Sequence, residues 1–367
     1  METLEHWTRG PDGYWIFDGP AKRRLWDKSA LGVVTDDGGL LLSPSEVIFC
    51  CEYRNIQYPH PNWLSDLTKD NPELFIQSAA LEALRVPGNK VVISRKSHSI
   101  GYDSSKETWA LRWPSDAHPN NDPPESEVKI FHSEEDFCPL ELFQWACEVK
   151  NNGRIAEALV VDDEQSVVTY RLIPADPNGD MLCPTIRELQ LIGATDHIEA
   201  KGGGAYIHAN GDWPCEMIGI PLHDGRFVDL IEFEIILKFI EVDSEFDLSE
   251  YTTDSPVTEY ELSGSASLLL DLWIRGLNTR PGFKYGSAWR CYPGHVGDGH
   301  APWLVVDPNM NSRGSSPRTW AEACLSSRLA SGVNKHWICP FIENGNWGYL
   351  EVSRPPSDSR WSNPIRR

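Results

Sequence analysis

Two segments decide the fold: WACEVKNNGRIAEALVVDDEQSVVTYRLI at 145–173 and WAEACLSSRLASGVNKHWICPFIENGNWGYLEVS at 320–353. Each predicts a helix with a tryptophan near its start, then a polar turn that ends in a basic residue. An apolar strand, a hairpin turn and a further strand follow. Because the order of elements is the same in both, the segments predict a duplicated α/β module whose strands form a mixed sheet.

A second pair of segments supports the duplication. DDGGLLLSPSEVIF at 36–49 aligns without gaps with DGRFVDLIEFEIIL at 224–237, so that Glu46 meets Glu234. Both segments predict a turn, a short strand and a helix. A small strand-helix module therefore precedes the α/β module in each half of the chain.

The helices of the two small modules have recognisable starts. Ser43 and Glu46 have the spacing of a capping box, with a proline at the first helical position. Asp229 with Glu232 offers a comparable start in the second copy. These acidic residues are therefore interpreted as helix caps.

The domain organisation follows from the duplication and from polar breaks rich in Pro, Gly and Asp. The fold class is predicted to be α/β (α+β), with four domains in tandem. They are the first small module (1–70), the first α/β module (71–178), the second small module (179–250) and the second α/β module (251–367). The stretch SDAHPNNDPPESE at 115–127 predicts a long solvated loop within the first α/β module.

Composition narrows the class of protein. The 367 residues carry a net charge of −21, so any RNA binding must depend on a few well-placed Arg and Lys residues.

The nine cysteines include no CxxC pair, which predicts reduced thiols and neither a disulfide framework nor a zinc site. No apolar run is long enough to span a bilayer, and the first residues do not resemble a secretory signal; both predict a cytoplasmic protein with no membrane partner.

Three stretches near the end of the chain place reactive side chains beside predicted strands, where catalytic residues concentrate. They are GFKYGSAWRCY at 282–292, which ends at Tyr292, GDGHAPWLVV at 297–306, which contains His300, and SRLASGVNKHWICPF at 327–341, which contains Lys335. His295 competes with His300 for a role. His300 is preferred because it lies directly before the strand, whereas His295 is expected to be solvated.

Together these stretches resemble the archaeal tRNA-splicing endonuclease family. Its catalytic module has a Phe-Lys-aromatic-Gly stretch that runs to a tyrosine, then a histidine before an apolar strand, then a helix that ends in Val-x-Lys. The fused, homodimeric form of the family repeats a small module and a nuclease-like module, and only the last copy is catalytic. The resemblance implies that domain 71–178 is a degenerate, non-catalytic copy and that domain 251–367 is the catalytic one.

The resemblance also implies the reaction. The family cuts precursor tRNA at bulge-helix-bulge exon–intron junctions without a metal ion or other cofactor, and leaves 2′,3′-cyclic phosphate and 5′-hydroxyl ends. Tyr292 would be the general base, His300 the general acid and Lys335 the group that stabilises the transition state. A free phenol titrates at about pH 10, so a nearby cation such as Lys335 is needed to favour the phenolate. Imidazole titrates near neutral pH, which suits an acid.

Further positions follow from the same resemblance. Arg328, seven residues before Lys335, would stack on a flipped-out bulge base, with Arg354 as the nearest candidate for its partner. Lys284 and Arg290 would contact phosphates. Ordinary exposed charges on a helix or a strand edge explain these four residues as well.

The turn VDDEQS at 161–166 matches an acidic loop through which the family assembles. Asp162, Asp163 and Glu164 would insert into a basic cleft of the partner subunit, which implies a two-fold homodimer. An ordinary acidic hairpin turn is the alternative.

Two other functions are compatible with parts of the sequence. A non-catalytic RNA-binding or structural subunit of a splicing endonuclease complex would keep the fold without the three reactive residues. A metal-dependent nuclease would use acidic residues such as Asp229 or Glu234 instead. The tRNA-splicing endonuclease is preferred because the tyrosine, the histidine and the lysine occur in the family's order.

Overall fold

The structure is a computed structural model that describes residues 5–209, 213–251, 262–311 and 314–364. The predicted boundary between the third and fourth domains borders residues 252–261, which lie outside the described residues. The division of the chain into four domains stays a prediction.

The first half of the chain contains a small strand-helix unit followed by a larger α/β unit. Its elements are β1 (Trp7–Arg9), β2 (Trp15–Phe17), α1 (Lys22–Ser29), β3 (Val33–Val34), β4 (Leu40–Leu42), α2 (Pro44–Arg54), α3 (Trp63–Asp70), α4 (Leu74–Arg85), β5 (Lys90–Ile93), α5 (Ser94–Ser97), β6 (Ala110–Trp113), β7 (Ser126–His132), α6 (Pro139–Asn151), β8 (Ile155–Val161) and β9 (Val167–Ala175).

The second half has a similar arrangement, but its first helix precedes all four short strands, whereas α1 lies between β2 and β3. Its elements are α7 (Ile186–Gly193), β10 (His197–Glu199), β11 (Ala205–His208), β12 (Ile220–Leu222), β13 (Gly225–Val228), α8 (Leu230–Phe239), α9 (Gly264–Ile274), β14 (Asn278–Pro281), β15 (Trp289–Tyr292), β16 (Trp303–Val305), α10 (Trp320–Gly332), β17 (His336–Glu343) and β18 (Asn346–Ser353).

The strands form two small sheets and one large sheet. The small sheets have the orders β1-β2-β4-β3 and β10-β11-β13-β12, and the ten-stranded sheet has the order β14-β15-β16-β17-β18-β9-β8-β7-β6-β5. The two halves of the large sheet join where β9 and β18 pair antiparallel. Because β7–β8 and β16–β17 are parallel pairs, the sheet is mixed. The predicted α/β (α+β) class with a mixed sheet is confirmed.

The equivalent positions of the two large units are set by their helices and not by their tryptophans. α6 and α10 each span 13 residues, and Arg154 and Lys335 each lie directly before the following strand. Trp320 is the first residue of α10, whereas Trp145 is the middle residue of α6. The predicted match of the two tryptophans is therefore wrong. Both indoles fill the core between the two helices and the sheet, so packing determines where each one is needed.

The predicted helix starts in the small units are confirmed. Ser43 and Asp229 are N-caps, and Glu46 and Glu232 complete their capping boxes. The ungapped alignment of Glu46 with Glu234 is wrong, because the stretch from turn to N-cap is shorter in the second copy. Glu234 instead accepts hydrogen bonds from the backbone and the hydroxyl of Ser263, at 2.7 Å each.

Three apolar cores flank the large sheet. One face carries α6 and α10, which share a single core across the junction of the two halves. On the other face, the first small unit and α4 form one core, and the second small unit and α9 form another. Burial of apolar surface at about 25 cal/mol per Å² makes these cores the main source of stability. The three cores therefore fix the positions of the strands of the large sheet.

The stretch 115–127 is less exposed than the sequence predicts. Its last two residues, Ser126 and Glu127, begin β7 and are fully buried. The hydroxyl of Tyr102 and the indole of Trp113 both donate to the carbonyl oxygen of Asp122, at 2.7 and 2.8 Å. The polar composition of this stretch reflects hydrogen bonding to its own surroundings and not solvation alone.

Trp361 and Asn363 pack beside β9, beyond the end of β18. The hydroxyl of Thr169 donates to the carbonyl oxygen of Trp361, and Asn363 accepts from the amide of Val167. All nine cysteines are free thiols. None of the helices within the described residues is long and apolar enough to cross a bilayer.

Glu232 makes the stability of the second small unit depend on pH. Its carboxylate is buried and accepts hydrogen bonds from the amides of Gly219 and Asp229. Burial, and then the neighbouring charge of Asp229, raises the pKa of Glu232. Between the ordinary glutamate value and this raised value, the folded protein holds a proton that the unfolded chain has lost. The stabilisation is therefore complete at low pH and is lost as the pH rises through the raised value.

We expect the Glu232→Gln variant to remove this dependence. The difference in urea midpoint between the wild type and the variant should change between about pH 5 and about pH 8, in favour of the variant at the higher pH. Glu188→Gln is the matched control, since Glu188 completes the capping box of α7 at an exposed site. A difference that is the same at every pH for both variants would contradict the prediction.

Candidate active site

The three residues that the sequence singled out lie at the same end of three neighbouring strands in the ten-stranded sheet. Tyr292 is the last residue of β15, His300 lies shortly before β16, and Lys335 directly precedes β17. β15 is antiparallel to β16, and β16 is parallel to β17, so all three positions fall at the same end of these strands. Neighbouring strands lie about 4.8 Å apart, which separates the backbones of Tyr292 and Lys335 by about 10 Å.

Tyr292 and Lys335 also share a face of the sheet. Cys291 packs into the core beneath the second small unit, so its neighbour Tyr292 points to the opposite face. Arg290 has the same orientation as Tyr292 and lies 5.9 Å from the centre of the Tyr285 ring. The ammonium of Lys335 lies 5.6 Å from the centre of the same ring. The phenol of Tyr285 is thus flanked by two of the predicted cations.

Lys335 is held in place but is not neutralised. Its ammonium donates to the carbonyl oxygen of Ala301, and within the described residues it meets this carbonyl and the Tyr285 ring but no carboxylate. Partial burial, and then the nearby charge of Arg290, lowers the pKa of Lys335. A cation without a counter-ion at a strand end is available to an anionic ligand.

His300 is exposed on the loop between β15 and β16. Two earlier residues of this loop, Pro293 and His295, are hydrogen-bonded to other parts of the chain. The amide of Asp180 donates to the carbonyl oxygen of Pro293 at 2.7 Å. The imidazole of His295 is hydrogen-bonded to the carboxylate of Glu216 at 2.7 Å. His295 is exposed, as the sequence predicts, and the second small unit supplies it with a partner that the local sequence does not reveal.

Arg280 is a residue near the site that the sequence analysis missed. It lies on β14 directly opposite Arg290, is only 8% exposed, and is close enough to Tyr292 for the phenol to act on its charge. Arg280 therefore brings a positive charge close to Tyr292 that the motifs did not reveal. Only the pairing of β14 with β15 reveals this neighbour, since Arg280 has no special place in any motif.

Tyr285 was also missed, although it lies in the Phe-Lys-aromatic-Gly stretch itself. The short turn Phe283–Tyr285 places its ring beside Arg290 and Lys335. Its position as the aromatic residue of that stretch was the signal that could have assigned it a role.

The predicted RNA-binding residues fall into two groups. Arg328 on α10 and Arg354 just after β18 are exposed, and both lie near Tyr170. Burial raises the pKa of Tyr170, and the two guanidinium charges oppose this effect. Lys284 is exposed in the turn before β15, whereas Arg290 is half-buried and donates to the carbonyl oxygen of Pro281. Thus one group lies at the junction of the two halves and the other beside Lys335.

The acidic residues at 162–164 occupy the hairpin turn between β8 and β9. Asp162 accepts hydrogen bonds from the amides of Glu164 and Ser166, so it holds the turn itself together. Asp163 is exposed and lies 3.1 Å from the imidazole of His132. Glu164 is exposed. Asp163 and Glu164 are thus the two whose carboxylates point away from the turn.

The first α/β unit has different residues at the equivalent places. Trp113 ends β6, as Tyr292 ends β15, and its indole donates to a backbone carbonyl. Arg154 precedes β8, as Lys335 precedes β17, but its guanidinium pairs at 2.8 Å with the fully buried carboxylate of Glu127. The phenol and the unpaired ammonium are therefore both absent from this copy's described residues at these positions.

The acidic residues considered for a metal-dependent nuclease serve structural purposes. Asp229 caps α8, and Glu234 accepts hydrogen bonds from Ser263. In the part of the chain that the structure describes, no group of three or more His, Cys, Asp or Glu side chains could hold a metal ion.

The mixed sheet with its flanking helices agrees with a nuclease-like α/β fold. Residues 267–349 match the family model of the tRNA intron endonuclease, catalytic C-terminal domain. The match contains Tyr292, His300 and Lys335, and it supports a tRNA-splicing endonuclease whose substrate is tRNA. A search of curated proteins found no match.

Gly179 allows the linker between the two halves to pack against the loop of His300. Its amide donates to the carbonyl oxygen of Arg275, and a methyl group on Gly179 would come within 2.6 Å of the carbonyl oxygen of Pro293 and still closer to that of Gly276. These neighbours are backbone atoms that cannot rotate away. The linker therefore requires a residue without a side chain here.

We expect Gly179→Ala to lower the free energy of unfolding by about 1–3 kcal/mol, because the linker must move away from Pro293 and Gly276. Urea unfolding followed by tryptophan fluorescence measures the loss. Gly332→Ala is the control, since nothing lies within 4 Å of a methyl group at that position. Equal urea midpoints for the Gly179→Ala variant and the wild type would contradict the close packing.

Proposed function

We propose that the protein cleaves precursor tRNA at bulge-helix-bulge exon–intron junctions without a metal ion, leaving 2′,3′-cyclic phosphate and 5′-hydroxyl ends. The observation that carries the proposal is that Tyr292, His300 and Lys335 lie at the same end of three neighbouring strands. All three residues fall inside the segment that matches the catalytic-domain family. In this lyase-type reaction the 2′-oxygen of the adjacent ribose attacks the phosphorus, and the 5′-oxygen leaves.

The first step forms the bond between the 2′-oxygen and phosphorus. Tyr292, as the general base, accepts the proton of the 2′-hydroxyl. A phenol needs nearby positive charge to act in this way. Arg280 lies near Tyr292, and Lys335 lies at the same end of the sheet, beside the Tyr285 ring. Tyr292 is buried, which strengthens its interaction with the charge of Arg280.

The second step breaks the bond between phosphorus and the 5′-oxygen. His300 donates a proton to this oxygen as it leaves, and its exposed position lets it reach an RNA backbone. Lys335 stabilises the charge that develops on the nonbridging oxygens, and the absence of a carboxylate partner among the described residues leaves it free to do so. The proton taken up by Tyr292 and the proton released by His300 balance over the reaction.

Substrate recognition is proposed to use the two groups of cations. Arg328 and Arg354 lie near each other at the junction of β9 and β18, a suitable place to stack on a base that is flipped out of a bulge. Lys284 and Arg290 lie beside Lys335 and suit contacts with phosphates near the cut. In a protein of net charge −21, these residues supply the local positive potential that RNA binding needs.

The assembly is proposed to be a homodimer of the archaeal fused type, acting in the cytoplasm. The degenerate copy at 71–178 contributes the turn that carries Asp163 and Glu164, whose carboxylates are exposed and suit a basic cleft on the partner subunit. A two-fold axis would set two active sites at a fixed separation, so that both junctions of one intron are cut by shape.

The catalytic assignment is tested by substitutions at the three residues. We expect Tyr292→Phe and His300→Ala to lower the single-turnover cleavage rate of a bulge-helix-bulge RNA by about 10²–10⁴-fold, because each removes a proton-transfer group. Lys335→Met should lower it by about 10²–10³-fold through lost charge stabilisation. Cleavage should continue in EDTA, and end mapping should find cyclic phosphates.

His336→Gln is the matched control, since the imidazole of His336 already pairs with Glu351 at 2.8 Å on the neighbouring strand. Its rate should equal that of the wild type. Full cleavage by the His300→Ala variant would exclude the mechanism. No cleavage of this RNA by the wild type would favour the alternative of a non-catalytic RNA-binding or structural subunit.

The dimer is tested at the acidic turn. We expect sedimentation to find a dimer for the wild type and a monomer for the double variant Asp163→Lys, Glu164→Lys, because the charge reversal would repel a basic cleft. Asp162 should be left unchanged, since its carboxylate holds the turn together. Asp103→Lys, in an exposed pair with His98, is the control for charge reversal on the same half. Identical sedimentation of the double variant and the wild type would remove the proposed interface.

A further inference from the structure

A hollow of about 630 Å³ lies between the second small unit and the loop that carries His300. It is lined by Trp213, Glu216, Pro221, Arg226, Arg280 and Val296. Val296 belongs to the loop itself, and Arg280 lies near the phenol of Tyr292. The hollow is therefore a neighbour of the proposed cleavage site, built largely from a unit to which the reaction assigns no role.

Two guanidinium groups give the hollow a positive charge. Arg226 donates to the carbonyl oxygens of Glu216, Ile218 and Gly219, at 3.2–3.3 Å. Arg280 donates to the carbonyl oxygens of Glu216 and Met217, both at 3.2 Å. In the described part of the chain, neither group forms an ion pair with a carboxylate. Carbonyl oxygens fix the position of a guanidinium but leave its charge uncompensated.

The two arginines are close enough to affect each other. Burial lowers the pKa of Arg280, the charge of Glu232 opposes this effect, and the charge of Arg226 adds to it. Like charges placed side by side in a partly buried site are costly unless an anion joins them. Such a pair is a common arrangement for the recognition of a phosphate by arginine.

Two carboxylates, Glu216 and Glu232, act on these guanidiniums, and each of them has another interaction. Glu216 is engaged by the imidazole of His295 at 2.7 Å. Glu232 is buried, and its raised pKa favours the neutral form. Among the described residues, the lining of the hollow thus combines two guanidiniums with one carboxylate, which is shared with His295.

Trp213 adds an aromatic surface beside these charges. Its indole donates to the carbonyl oxygen of Ile218 at 3.0 Å, which fixes the ring. The guanidinium of Arg226 lies 5.3 Å from the centre of this ring. A fixed indole beside an arginine is suited to stacking on a nucleobase, and such stacking does not depend on which base it is.

We propose that this hollow binds a nucleotide of the RNA substrate that flanks the cut. Arg226 and Arg280 hold its phosphate, and Trp213 stacks on its base. The inference rests on the proposed function, since it assumes that Tyr292 acts on RNA. It gives the second small unit a direct part in substrate binding, beyond its contact with the catalytic loop.

The test measures binding of a bulge-helix-bulge RNA with a 2′-deoxy nucleotide at each cut site, which prevents cleavage. We expect Arg226→Ala to raise the Kd about tenfold and to reduce the slope of log K against log salt by about 1. Arg226→Lys keeps the charge and should retain that slope, with a smaller loss of affinity. Trp213→Ala should also raise the Kd about tenfold but leave the slope unchanged, because stacking releases no counter-ion.

A change in the RNA identifies the phosphate. A neutral methylphosphonate is placed, one position at a time, at the phosphates that flank the cut. At the phosphate held in the hollow, the methylphosphonate should weaken binding by the wild type and abolish the difference between the wild type and Arg226→Ala. Arg187→Ala is the control, since Arg187 is an exposed arginine on α7 of the same unit and should bind as the wild type.

The outcomes separate this inference from the proposed function. If the wild type neither binds nor cleaves the RNA, the proposed function fails. If the wild type binds and cleaves, while Arg226→Ala and Trp213→Ala bind with unchanged Kd and salt slope, the inference about the hollow is overturned. Should Arg226→Ala fail to fold in a melting experiment, Trp213→Phe and the methylphosphonate series on the wild type still decide it. If the Kd of the wild type is unchanged by every methylphosphonate, the hollow holds no phosphate of the RNA.

Discussion

The antiparallel pairing of β9 with β18 is the contact on which the rest of the structure depends. It joins the last strands of the two α/β units and converts two five-stranded halves into one sheet. Because the sheet is continuous, α6 and α10 can share one apolar core above it. The same junction brings Arg328 and Arg354 of the second half near Tyr170 of the first.

The sequence predicted the features that local chemistry controls. The capping residues Ser43 and Asp229 were identified because a cap depends on residues only three positions away. The mixed sheet, and the places of Arg154 and Lys335 directly before a strand, followed from the order of elements. The tryptophans were mismatched because a large side chain is placed by the space it fills, which differs between the copies.

The contacts around the candidate site needed the tertiary structure. His295 and Glu216 are separated by 79 positions in the sequence, so no pattern near the loop could predict their pair. Arg280 approaches Tyr292 only through the register of β14 and β15. The order Tyr292, His300, Lys335 was visible in the sequence, but their common edge depends on one antiparallel and one parallel pairing in succession.

The close contact of Gly179 with Pro293 ties the connection between the halves to the loop that carries His300. If evolution were to split the gene at this connection, one of the two new polypeptides would end or begin beside the loop of His300. A free carboxylate or ammonium would then lie where a neutral peptide now packs, and it would alter the local field. A division of the chain into two subunits is therefore easier to accommodate some residues away from Gly179, where a new terminus could reach solvent.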